Sequence, residues 1–230
     1  MKRYAIIPAG GIGKRIGGNI PKQFIKINSK EIIAYTLSVF DKCKLIDAIA
    51  VAVSRENFSL MKKIISENSF KKRIIIAEGG KTRQDSVFSA ISFLNPNAED
   101  FICVHDAARP LLSLEILQQA LLEAESKGNA VVAIKARDTL AAINSDNEED
   151  KIIENYPERE KIFYIQTPQI FRFDFFSKAM DYLLSSGFQG TDESMLAFNL
   201  GEKINLVEGE LKNFKITTKE DLDFAAEILK

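Results

Sequence analysis

Short apolar runs alternate with amphipathic stretches along almost the whole chain, and this alternation limits the possible folds more than any single motif. The runs read as strands at Tyr4–Ile7, Ala48–Val53, Arg73–Ala77, Phe101–Val104, Ala130–Ile134, Lys161–Ile165 and Ile204–Val207. Helical spacing fills the gaps. It appears at Ile32–Phe40, at Glu56–Ser66 behind Ser54, at Ser86–Leu94 with Thr82 and Asp85 near its start, at Leu114–Lys127 behind Ser113, at Phe173–Leu184 and at Lys219–Leu229. Thr217 and Glu220 have capping-box spacing ahead of the last helix. Strands that are apolar throughout are buried on both faces, so the pattern predicts an α/β fold: a mostly parallel sheet with helices on either side. The 230 residues are expected to form one domain, 1–230. In such sheets ligands sit at the carboxyl ends of the strands.

The first strand end is the richest. Pro8 to Phe24 reads PAGGIGKRIGGNIPKQF. Glycines let the backbone approach a ligand and leave N–H groups free to face an anion. Residues 1–30 also hold Lys2, Arg3, Lys14, Arg15, Lys22, Lys26 and Lys30, without one Asp or Glu. The whole chain carries a net charge of -1, so the positive charge is local. This combination is a phosphate cradle. It is not a Walker A loop, because Gly13-Lys14 is followed by Arg15. It is not the dinucleotide loop either, because Ile16 stands where that pattern needs its last glycine. Pro21 fixes the chain just before Lys22, which can fold back on the loop.

Composition removes other classes. The near-neutral charge argues against nucleic acid as the main partner. The two cysteines, Cys43 and Cys103, form no CxxC motif and read as buried thiols in a reducing compartment. No apolar run reaches the roughly 18 residues of a membrane span, and the start of the chain is too brief for a signal peptide. A cytoplasmic location is expected.

The other strand ends carry further chemistry. Gly79-Gly80 follows a strand and precedes Arg83-Gln-Asp-Ser86, so backbone and the Ser86 hydroxyl can approach a planar base. His105-Asp106-Ala107-Ala108-Arg109 puts a carboxylate among small residues, suited to a sugar hydroxyl or a metal ion. Arg109 can orient Asp106 or hold a phosphate; His105, the only histidine, reads as structural. Gln166-Thr167-Pro168 reads as a fixed turn after a strand, and Thr191 as the cap of a helix in Gly190–Ser194. Lys215 lies in an apolar β-like run, either snorkelling to solvent or aimed into a site. Residues 137–159 break the alternation: two strand-like arms, Thr139–Ile143 and Lys151–Ile153, flank a polar turn. This predicts a projecting β-hairpin, which is marginal alone and needs something to pack on, a second subunit being the natural candidate.

In order, the motifs PAGGIGKRIGG-x-x-PKQF, GG-x-x-RQDSV, HDAARP, RDT, QTPQ-x-F, TDES and KITTKEDL resemble the 2-C-methyl-D-erythritol 4-phosphate cytidylyltransferases, within the glycosyltransferase-A-like nucleotidyltransferase superfamily. The resemblance spans nearly the whole chain. It implies a three-layer α/β/α sandwich with a Rossmann-like sheet, and a β-arm at about 137–159 exchanged between the subunits of a homodimer. It also implies CTP as substrate, Mg²⁺ or another divalent cation as cofactor, and a polyol phosphate as acceptor.

Carried over by resemblance, Arg15 and Lys22 hold the triphosphate, while Ala9, Gly10, Gly80 and Ser86 line the cytidine. Asp106 meets the ribose and the Mg²⁺-bound phosphates, with Ala107 beside it. Lys215 and Thr191 position the incoming phosphate. Thr139, Arg159 and Thr167 grip the acceptor, Thr139 and Arg159 arriving from the other subunit, and Arg109 belongs to the same acceptor side. The chain departs from the family's usual pattern at Gly10, where alanine is usual, at Ala141, where lysine is frequent, and at Glu193, where aspartate is common. Three alternatives stay open at this point: a cytidylyltransferase for another polyol phosphate such as ribitol 5-phosphate, a nicotinamide-dependent dehydrogenase, and a non-catalytic nucleotide-binding protein.

Overall fold

In the computed structural model, residues 1–11, 20–144, 152–188 and 190–230 are described. Arg15 and the tip of the predicted hairpin lie outside them. The chain opens with β1 (Arg3–Pro8), then a small hairpin of β2 (Lys26–Ile27) and β3 (Lys30–Glu31) leads into α1 (Ile32–Lys42). Next come β4 (Ala48–Val53), α2 (Phe58–Glu67), β5 (Ile74–Glu78), α3 (Arg83–Ser92), β6 (Phe101–Val104) and α4 (Leu114–Lys127). The second half holds β7 (Asn129–Lys135), β8 (Ala142–Asn144), β9 (Ile152–Asn155) and β10 (Phe163–Arg172). It closes with α5 (Phe173–Ser186), α6 (Glu193–Asn199), β11 (Leu206–Glu208) and α7 (Lys219–Ile228).

Seven strands form one sheet in the order β11-β7-β10-β6-β1-β4-β5. β1 pairs in parallel with β4 and β6, β4 with β5, and β7 with β11, while β10 runs antiparallel to both β6 and β7. The period-2 alternation of each strand divides the core. Ala5, Ile7, Ile49, Val51 and Cys103 face α1, α2 and α4, whereas Tyr4, Ile6, Ala50, Ile102 and Val104 face α3, α5 and α6. A third cluster joins Ile27, Ile32, Leu111 and Ile216 to Ala225 of α7. The layers are therefore helix, mixed sheet, helix.

The structure corrects several local expectations. The strand expected to stop at Ile165 continues to Arg172, and Gln166-Thr167-Pro168 is a register shift inside it rather than a turn. Proline cannot donate to a ladder, so a central strand that contains one must bulge there. α2 begins later than expected, at Phe58: Ser54 precedes a 3-10 turn, Arg55–Asn57, and caps nothing with its side chain. The last capping box uses Thr218 and Asp221, one residue beyond the expected pair, because Asp221 Oδ2 takes the amides of both Thr217 and Thr218. α6 is capped by Asp192, not Thr191; the carboxylate accepts from the Met195 amide. The segment around Lys215 is no strand, because loops satisfy its backbone: the Ile216 amide donates to the Ala108 carbonyl.

The hairpin expected at 137–159 is present as β8 paired antiparallel with β9, with an irregularity at Ala142. Its expected arms move by one to three residues. Ile143, Ile152, Ile153 and Tyr156 are exposed, as are Phe163, Tyr164 and Ile165 at the adjoining end of β10.

Candidate active site

β1 lies between β4 and β6, so the chain leaves it in opposite directions and a crevice opens at the carboxyl ends. A cavity of about 510 Å³ occupies this crevice. One wall comes from the loop after β1, with Ala9 and Gly10. The opposite wall comes from the start of α3, with Gly80, Arg83 and Ser86. Asp106 and Ala107 form the floor, and Lys22 and Lys215 close the side.

Local sequence explains each wall. A Cβ on Gly80 would lie 2.1 Å from Cβ of Asp85, so only glycine lets the chain turn this tightly into α3. Thr82 caps α3 in a capping box with Asp85, and the Ser86 hydroxyl accepts from the Gly80 amide and donates to the Thr82 carbonyl. On the other side, Gln23 is buried and its amide donates to the carbonyls of Ala9 and Gly11, fixing the start of the glycine-rich loop. Pro21 precedes a short 3-10 turn that carries Lys22. The Lys22 ammonium donates to the Ile216 carbonyl at 2.8 Å, so Lys22 and Lys215 are presented by contiguous structure.

Asp106 is the electrostatic centre. It is buried, with Arg83 Nε 3.2 Å from Oδ1, Lys215 Nζ 2.9 Å from Oδ2 and Arg109 Nε 3.5 Å from Oδ2. Burial alone would push its carboxyl up; the charges of Arg83, Lys215 and Arg109 outweigh that and hold it far below the usual carboxylate range. Arg83 is gripped on its other edge by Glu193, at 2.8 and 3.0 Å. Burial works against the Arg83 charge, but Glu193 and Asp106 more than offset it. Burial also pushes Glu193 above its ordinary value, opposed by the same guanidinium.

Beneath Asp106 the polar groups are ordered in one sense. The Asp106 amide donates to Thr167 Oγ1 at 3.1 Å, which leaves the Thr167 proton for His105 Nδ1 at 2.9 Å. The imidazole proton is then on Nε2, donated to the Arg109 carbonyl at 3.0 Å. His105 is fully buried against Phe40, and burial lowers its pKa from 6.5 to about 4. It is a neutral structural residue, as its solitary place in the sequence suggested.

Of the residues singled out from the sequence, Ala9, Gly10, Lys22, Gly80, Ser86, Asp106, Ala107 and Lys215 line the one cavity. Lys215, open to two readings in the sequence, is aimed into the site. Arg109 and Thr167 lie behind the cavity wall, Arg109 donating to the Asn213 carbonyl and Thr167 only 3% exposed. Thr139, Arg159 and Thr191 are exposed and do not line it. Arg15 is outside the described residues. Sequence reasoning missed Arg83 and Glu193. Arg83 sat inside a quoted motif, and its position at the start of a helix facing Asp106 was the available signal.

The crevice carries two lysines suited to the charge of a phosphate chain, and fold, cavity and kinship together define a nucleotidyltransferase. More narrowly, the sequence profile of the 2-C-methyl-D-erythritol 4-phosphate cytidylyltransferases matches residues 4–230, and the chain belongs to that family. A curated protein of that name from Clostridioides difficile (strain 630) is 38% identical over 225 residues, 97% of this chain and 92% of the relative. One from Geobacter metallireducens is 35% identical over 233 residues, 100% of this chain and 98% of the relative. Among solved structures, the 4-diphosphocytidyl-2C-methyl-D-erythritol synthase of Anaerococcus prevotii superposes with a TM-score of 0.86 at 28% identity, covering 99% of this chain and 96% of that one. The 2-C-methyl-D-erythritol 4-phosphate cytidylyltransferase of Francisella tularensis gives 0.81 at 33% identity, covering 98% of each chain. Among the described residues, no helix is long and apolar enough to cross a membrane.

Proposed function

We propose that the chain transfers the cytidylyl group of CTP to 2-C-methyl-D-erythritol 4-phosphate, releasing pyrophosphate. The observation that carries this is the convergence of Lys22, Lys215 and Asp106 on one cavity, in a chain that matches the family along its length. A phosphate oxygen of the acceptor attacks the α-phosphorus of CTP, and the bond to the pyrophosphate oxygen breaks in line. The nucleophile is already anionic, so no general base is required, in keeping with a histidine locked away from the cavity. The obstacle is repulsion between two anions, and catalysis is positioning and charge neutralisation.

Lys22 meets the triphosphate where charge develops, and Arg15 joins it from the glycine-rich loop. Ala9, Gly10, Gly80 and Ser86 enclose the cytidine. Lys215 holds the incoming phosphate, joined by Thr191, which is exposed ahead of α6. Arg109 and Thr167 act from behind the wall by fixing Asp106.

A divalent cation fits the site in one manner. Among the described residues no group of three or more acidic, histidine or cysteine side chains gathers to cage a metal, yet Asp106 presents a lone carboxylate to the cavity. Magnesium is held in this way, by one or two carboxylates together with substrate phosphates. Bound there it supplies charge neutralisation at the phosphates.

Thr139 and Arg159 sit at the foot of the hairpin, outside the lining of their own cavity, and we assign them to the acceptor site of a second subunit. The exposed Ile143, Ile152, Ile153 and Tyr156 provide the apolar face such a homodimer needs. The buried thiols of Cys43 and Cys103, with no disulfide between them, suit a cytoplasmic enzyme.

The test is pyrophosphate release with CTP and Mg²⁺, comparing 2-C-methyl-D-erythritol 4-phosphate with ribitol 5-phosphate. Turnover of the first alone is expected. Turnover of ribitol 5-phosphate alone would keep the nucleotide site and overturn the acceptor.

A further inference from the structure

Arg83 lies in the cavity wall, and its guanidinium is already held by two carboxylates. Each terminal nitrogen gives one N–H to Glu193, a bidentate fork at 2.8 and 3.0 Å, and the Nε–H donates to Asp106 Oδ1 at 3.2 Å. Glu193 is 3% exposed and lines no part of the cavity. Its position is fixed from the sheet. Gln169 of β10 donates to Asp192 Oδ2 at 3.1 Å and accepts from the Ser194 amide at 2.7 Å, which locks the start of α6 on either side of Glu193.

We propose that Arg83, braced by Glu193, is the positioning residue that sets the orientation of Asp106 during the reaction. This rests on the reading of the cavity as the CTP site. The brace has a specific purpose. A triphosphate brings several negative charges into a cavity that already holds Arg83. An unbraced guanidinium would turn to the phosphates and leave Asp106. Glu193 forks across the two terminal nitrogens and fixes the plane of the guanidinium, so the Nε–H stays on Asp106 Oδ1. Oδ2, which meets Lys215 at 2.9 Å, is then presented in a fixed direction to whatever enters. The same pair ties the start of α3, in the cavity wall, to the start of α6.

The test is a cycle of Arg83→Gln, Glu193→Gln and the double variant. Each is measured for thermal midpoint, for CTP binding by calorimetry without acceptor, and for steady-state turnover. Arg83→Gln leaves a buried carboxylate without a partner and lowers the midpoint; the double variant removes that charge and regains it. Turnover is expected to stay down by roughly a hundredfold in all three, the scale of a misplaced catalytic group. CTP affinity is expected to hold within about threefold in Arg83→Gln and to hold or tighten in Glu193→Gln, where the freed arginine meets phosphate. Where Arg83→Gln does not fold, Arg83→Lys takes its place: it keeps the charge, cannot fork, and is expected to lose turnover similarly.

Recovery of turnover together with the midpoint in the double variant would overturn the proposal, since a merely structural pair predicts that result. So would full turnover with Glu193→Gln or Arg83→Lys. Absence of CTP binding by the unsubstituted chain would instead overturn the nucleotide reading, and the proposal with it.

Discussion

The surroundings of Asp106 and the hairpin of β8 and β9 are opposites in how they reach a low free energy. Around Asp106 every charge is answered within the chain: Arg83 by Glu193, and Asp106 by Arg83, Lys215 and Arg109. On the hairpin, Ile152 is 68% exposed and Ile153 50%, and among the described residues Arg159 donates to the Arg137 carbonyl and its neighbour Glu160. One region is complete before any ligand arrives; the other leaves apolar surface and a cation exposed. A preorganised half loses little on binding, because its side chains are already ordered. On the proposed dimer, the unfinished half would make the second substrate's site depend on a partner, and so on concentration.

The largest effect that would break this contrast is at Lys22. Its ammonium is held by the Ile216 carbonyl, in the complete half, and should meet charge that develops only in the transition state. Lys22→Ala is expected to lower kcat by roughly a hundredfold or more, the scale of one lost transition-state charge contact. Steady-state kinetics check it. A near-normal kcat would remove Lys22 from the chemistry and leave the cavity as a binding site only.

The contrast also bears on what could be read before folding. Elements whose signal is local were legible. β4 and β6 are continuous apolar runs, and α4 is bounded by Ser113 and Gly128, a side-chain cap and a left-handed C-cap. Caps drifted by one residue where two residues able to cap stand side by side, as at Thr217-Thr218 and Thr191-Asp192. β10 was only half visible, because buried Gln166, Thr167 and Gln169 break the apolar pattern; their polar atoms are satisfied by Glu210, His105 and Asp192 from elsewhere in the fold. Arg83 and Glu193, 110 residues apart, were invisible for the same reason. The resemblance placed the residues that line the cavity, and physical packing alone reveals what holds them.

A second, smaller effect concerns the layer under Asp106. His105 is fully buried and neutral, with its pKa lowered from 6.5 to about 4 by burial. Its folded-state value is below its unfolded value, so the unfolded chain takes up the proton first. The stability is present above about pH 6.5 and is lost as pH falls towards 4, to an extent of about 3 kcal/mol. Asp106 titrates far lower in the fold and is lost only in a more acidic range, so it does not account for this window. Urea midpoints between pH 7 and 4 check the slope, and His105→Gln should flatten it. An equally steep fall in that variant would move the effect to other groups.

The smallest expected effect sharpens the comparison most. Replacing Ile152 and Ile153 by serine should change the stability of the isolated chain by no more than about 0.5 kcal/mol, because exposed side chains lose little on substitution. The same change on a hydrophobic interface should be visible in assembly: sedimentation should show the dimer giving way to monomer at a given concentration. Turnover should fall with it, since Thr139 and Arg159 would no longer reach a neighbour's acceptor site, while CTP affinity measured without acceptor should stay unchanged. Nucleotide binding would then belong to one chain and acceptor binding to two. A monomer that retains full turnover would break that division, place the acceptor site within a single chain, and leave the apolar face of the hairpin without a catalytic purpose.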